Sequence, residues 1–141
     1  MTTPFPREAL AAAAYRFAQA SGERIQLAEF DAILLHQLSG ADPDELALTI
    51  RESVTSDNAD PAYRQSAYFA LAKKSDDQLL EFFRERLRAE LDAGELDACY
   101  QLMFALEELG EDVFSAGRDA PSALERTPNR QDAAAYLAGL G

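Results

Sequence analysis

Apolar side chains recur along the chain at helical spacing, and no stretch alternates as a half-buried strand would. Pro6, Arg7 and Glu8 open a first predicted helix over about 6–20, with Leu10, Ala13, Ala14, Phe17 and Ala18 on one face and Ser21-Gly22 as its stop. A second, about 23–38, turns Ile25, Leu27, Phe30, Ile33, Leu34 and Leu38 inward and stops at Ser39-Gly40. Asp42, Pro43, Asp44 and Glu45 have the chemistry of a helix start: a capping carboxylate, proline at the first position, and acids facing the positive helix end. That third helix carries Leu46, Leu48, Ile50 and Val54. A fourth starts the same way at Asp60-Pro61 and carries Tyr63, Ala67, Phe69, Ala70 and Leu71.

Ser75 to Gln78 have capping-box spacing and open a fifth helix over about 76–93, with Leu79, Leu80, Phe83, Leu87 and Leu91 as its stripe and Gly94 as its break. The sixth, about 95–109, is apolar over much of its circumference through Leu96, Ala98, Cys99, Leu102, Met103, Phe104, Ala105, Leu106 and Leu109, and so belongs in the middle of an assembly. Residues 110–128 carry Gly, Pro and Ser and are expected as an ordered loop, or a short helix at most. Asn129 to Asp132 then predict the cap of a last helix through Ala135, Tyr136 and Leu140.

The chain also repeats itself. Phe69-Ala70-Leu71 returns 35 positions later as Phe104-Ala105-Leu106, which brings Ser75 onto Gly110, Asp77 onto Asp112 and Leu79 onto Phe114. Helix break falls on helix break. Periods near 35 residues, each a helical hairpin, mark α-solenoids. Residues 60–71, DPAYRQSAYFAL, resemble the D-P-x-[apolar]-R-x-x-A-x-x-A-L signature of HEAT-like repeats. The next copy departs from it, with Glu95-Leu96 in place of Asp-Pro and Cys99 in place of the arginine. The resemblance covers about 25–114. It implies an all-α, right-handed solenoid of six or seven helices in a single domain over 1–141, closed by a C-terminal cap from about 115, with Arg64 pairing carboxylates or free carbonyls at neighbouring turns.

Residues 98–114, ACYQLMFALEELGEDVF, with the following loop and NRQDAAAYL at 129–137, resemble the C-terminal portion of small bacterial helical proteins. Many of those accompany polymorphic toxins as immunity proteins. What this resemblance implies is an inhibitor of a cognate toxin.

Charge changes the picture further. Thirteen Lys and Arg against 25 Asp and Glu give −12 at pH 7, which argues against nucleic acid or an anionic membrane as partner. It suits a basic protein, because opposite charge speeds encounter, although solubility alone would account for it too. No Lys or Arg occurs from 89 to 117, while Glu90, Asp92, Glu95, Asp97, Glu107, Glu108, Glu111 and Asp112 flank the sixth helix. Asp97, Tyr100, Glu107, Glu108, Glu111 and Asp112 are therefore the candidate partner-binding residues, with Tyr100 as aromatic anchor.

Nothing else in the chain has the pattern of a reaction centre. His36 is the one histidine and sits among leucines; Cys99 is the one cysteine and sits in an apolar helix. No zinc spacing occurs, and the turn at 57–60 lacks the glycine and the final glutamate of a calcium loop. Neither catalysis nor a cofactor is expected. No apolar run is long enough to span a membrane, and the N-terminus lacks a basic leader, so a cytoplasmic protein is expected. The reading is a non-enzymatic immunity protein that covers a toxin's active site or substrate entry with an acidic surface. The alternative is a small helical scaffold or adaptor.

Overall fold

The computed structural model describes residues 5–20, 42–56, 59–118 and 121–140. The helix expected over 23–38, together with His36, lies outside the described residues. Among those described the fold is all-α, with six α-helices and no strand. They are α1 (Leu10–Ala20), α2 (Pro43–Val54), α3 (Pro61–Lys74), α4 (Leu80–Ala93), α5 (Leu96–Glu108) and α6 (Arg126–Gly139), with 3-10 turns at Arg7–Ala9 and Asp77–Leu79. The chain divides into two compact units, Met1–Ser75 and Asp76–Gly141.

In the first unit α1 packs most extensively on α3, and α2 packs on α3. Leu10, Ala13, Ala14, Phe17 and Ala18 are all buried, as the pattern predicts. Ala67, Ala70 and Leu71 of α3 are fully enclosed; small side chains of this kind let helix axes approach closely. Both predicted Asp-Pro starts form. Asp42 accepts the Asp44 N–H at 3.4 Å and Asp60 accepts the Tyr63 N–H at 2.7 Å. Arg64 donates to the Ala59 carbonyl at 2.6 Å, so its guanidinium serves the start of its own helix. Two apolar residues of the predicted faces turn outward: Leu48 is 53% exposed and Phe69 43%. The Phe69 ring carries the Lys73 ammonium 5.4 Å from its centroid, a contact open to solvent.

The second unit is α4, α5 and α6, each packed on the other two. Leu79, Phe83 and Leu87 are buried as predicted, but so are Phe82 and Glu90. Ser75 is not the predicted capping-box serine. It closes α3 in the left-handed region at φ 50°, donating to the Ala72 carbonyl, and Asp76 supplies the cap by accepting the Gln78 N–H at 2.9 Å. Gly94 and Gly110, at φ 75° and 91°, stop α4 and α5 in the same conformation, which favours glycine. The alignment of Ser75 with Gly110 thus marks two equivalent left-handed stops. Beyond them the copies part: a 3-10 turn and α4 follow Ser75, whereas irregular chain follows Gly110.

The last helix begins at Arg126, four residues earlier than a cap at Asn129 would start it, with Pro128 in its first turn, where an amide has no intrahelical acceptor. Asn129 is therefore not a cap. It lies fully buried inside α6.

Candidate partner-binding surface

Four of the six candidate residues lie in α5 and two, Glu111 and Asp112, just beyond it, and the fold uses them differently. Asp97 sits in the first turn of α5, where the positive end of the helix favours it, and accepts from Arg126 at 3.0 Å. Tyr100, one turn on, is half-buried: its ring lies 6.2 Å from that of Phe114 and its hydroxyl donates to the Pro121 carbonyl at 3.2 Å. Both are engaged within the fold.

At the other end of α5, Gly110 N–H donates to the Glu107 carbonyl and Glu111 N–H to the Leu106 carbonyl. This turn draws Glu111 back against the last turn of the helix. Its carboxylate accepts from the Tyr136 hydroxyl at 2.7 Å and from Arg84 Nη2 at 2.5 Å. The Tyr136 hydroxyl, then Arg84, hold the Glu111 carboxyl below the usual glutamate range. Tyr136 first, then Glu111, push the Arg84 guanidinium up, and Arg84 also reaches Tyr136 at 3.0 Å and Glu81 at 2.7 Å.

Glu107, Glu108 and Asp112 are left exposed. None has a hydrogen bond or ion pair to another side chain among the described residues. Glu107 and Glu108 occupy the last turn of α5, which holds no basic residue, so they stand at the end of the helix that disfavours anions. Glu90, grouped by sequence with the acidic flank, is buried at 2% exposure and contributes nothing to that surface.

The residues that hold this region were not singled out in the sequence. Arg118 is the first cation after 29 positions without one, and it is spent internally. Its Nη1 donates to Asp132 at 2.7 Å and its Nη2 to Asn129 at 2.9 Å, with Glu125 at 3.3 Å. Asp132 also accepts the Ser115 N–H at 3.1 Å. Burial would raise the Asp132 carboxyl, but Arg118 and the Ser115 amide together outweigh it and hold it below its usual range. Only the Glu81–Arg84 spacing of three on one helix was legible beforehand.

The chemistry elsewhere is quiet. Burial first, then the Glu90 charge, push the Cys99 thiol up to about 12, so it stays protonated at neutral pH. In the first unit a cavity of about 240 Å³ is lined by Phe5, Pro6, Ser53, Ser56 and Tyr63, with Arg7 at its edge. Its polar groups are occupied: Ser53 Oγ accepts the Phe5 N–H and donates to the Thr49 carbonyl, Tyr63 donates to the Phe5 carbonyl, and Arg7 pairs with Asp60. No group of three His, Cys, Asp or Glu side chains with metal-binding geometry occurs among the described residues, and no helix there is long and apolar enough to cross a membrane. Comparison with known protein families, curated proteins and solved structures found no match to this chain.

Proposed function

We propose that this chain is a non-enzymatic protein-binding domain of the bacterial cytoplasm, an immunity protein that neutralises a basic toxin by covering its active site or substrate entry. The observation that supports this reading is the set Glu107, Glu108 and Asp112: exposed carboxylates with no side-chain partner among the described residues, two of them at the helix end that disfavours anions. A surface selected for stability would carry Lys or Arg there. One selected to attract a cationic cleft would carry acids. In this reading the hairpins α2–α3 and α4–α5 are two HEAT-like repeats of a right-handed solenoid. The equivalent left-handed stops at Ser75 and Gly110 support it, as does the complete burial of Ala70 and Leu71 and of Ala105 and Leu106.

The test is kinetic. With the toxin encoded beside its gene as partner, Glu107→Lys, Glu108→Lys and Asp112→Lys together slow association by about tenfold or more at low salt and flatten its salt dependence. Unchanged rates, or harmless deletion of the gene beside an active toxin, overturn the reading. The scaffold alternative is favoured by exposed apolar side chains in both units, Leu48 and Phe69 in the first and Leu124 in the second. It predicts co-purification with several housekeeping proteins and no toxin.

A further inference from the structure

We propose that residues 111–118 form a strap that releases as one unit from the α4–α5–α6 trio while those helices stay folded, with the Asp132 carboxylate as its principal clasp. The inference is independent of the binding partner. Val113 is the one buried apolar side chain of the eight; Asp112, Ser115, Ala116 and Gly117 are exposed. The core of the trio is built from helix residues, among them Phe83, Leu87, Leu102, Met103, Leu106 and Ala133. Removing the strap therefore costs the core little apolar burial, and segments with few buried contacts open below the global unfolding free energy.

What holds the strap is polar and gathered at two points. At its start Glu111 is gripped by Arg84 of α4 and Tyr136 of α6. At its end one oxygen, Asp132 Oδ2, accepts both the Ser115 amide and the Arg118 guanidinium, while Asn129 takes the other arm of Arg118. Arg118 and Asp132 have side chains only 12% and 10% exposed, so the pair is largely removed from water. Neither partner is tolerated there alone, which makes the clasp close or open as a whole. Phe114 lies between the two grips, with the Tyr100 ring at 6.2 Å and the Arg118 guanidinium at 5.5 Å. Release presents two aromatic rings and a guanidinium beside α5 flanks that are acidic when the strap is closed.

Native-state amide exchange on the full chain tests this. Two strap amides bonded to the helices report it: Glu111, bonded to the Leu106 carbonyl, and Ser115, bonded to Asp132. In the unsubstituted protein these exchange through an opening that low denaturant does not accelerate. The amides of Leu102, Met103 and Leu106 exchange only through one that it does. Asp132→Asn speeds Ser115 exchange by about tenfold or more, the loss expected on weakening a charge-assisted bond, and leaves the α5 amides within about twofold. Strap and α5 amides sharing one rate and one denaturant slope overturn the proposal, as does a uniform effect of the substitution. Should the variant not fold, the comparison of slopes in the unsubstituted protein decides alone.

Discussion

Ser75 holds φ at 50°, in the left-handed region that costs an L side chain about 1 kcal/mol or more and costs glycine nothing. Its hydroxyl bond to the Ala72 carbonyl, at 3.3 Å, is long and returns only part of that. Ser75→Gly is expected to raise stability by roughly 0.5–1 kcal/mol, read as a higher urea midpoint at unchanged slope. The sequence places this residue opposite Gly110 but assigns it to the start of the next helix. Serine suits both roles chemically, and only the backbone angle separates them. The phenylalanines of the repeated tripeptide behave similarly. They match letter for letter, yet Phe69 is exposed and Phe104 half-buried, while the Ala and Leu after each are enclosed. A periodic pattern gives the spacing of a face; its edges depend on which neighbours arrive.

On the scale of elements, α5 sets its acids against its own dipole at one end and with it at the other. Asp97 is doubly favoured, by the helix start and by Arg126. Glu107 and Glu108 are opposed by the helix end and by each other's charge. Glu107→Lys and Glu108→Lys are each expected to stabilise the chain by about 0.3–1 kcal/mol at low ionic strength, less at high salt. Thermal melts at two salt concentrations check this, and destabilisation by either would mean that a cation-bearing neighbour already compensates that carboxylate. Helix starts at Asp42 and Asp60 were legible because a cap acts within three residues. The start of α6 was not. Asn129 has cap chemistry, but its side chain answers Arg118, 11 positions back, and the Ser122 carbonyl. The helix begins instead at Arg126, after Glu125 folds back to accept the Ser122 amide at 3.0 Å.

For the molecule as a whole, −12 in net charge makes the response to acid informative. Asp60, Glu111 and Asp132 all have their carboxyl groups held below their ordinary values of 3.8, 4.5 and 3.8. The Tyr63 amide and then Arg7 do this for Asp60. A depressed folded-state value means that the unfolded chain binds the proton first. The stabilisation is therefore complete above the ordinary values and lost as pH falls through the lower folded ones. Stability is expected to be flat in these three groups from pH 7 to about 5, then to fall below about 4.5. Substituting Asn for Asp132 should remove part of that acid slope, as urea midpoints across pH 3–7 will show. An unchanged slope would mean that the Arg118 clasp contributes nothing to the acid limb.

Helix content, most helix ends and the enclosed Ala and Leu positions follow from the sequence by itself, because caps, glycine stops and apolar spacing act between residues a few positions apart. The acidic character of the α5 flanks was legible for the same reason. Which of those acids remain available was decided only in three dimensions. Arg84 reaches Glu111 across 27 positions and Tyr136 across 52; Arg126 reaches Asp97 across 29. Such pairings are set by how helices pack, and packing is chosen by the whole apolar core rather than by the charges that it happens to bring together. Of six candidates in sequence, three carboxylates, Glu107, Glu108 and Asp112, have no side-chain partner among the described residues, because the fold had already used the rest.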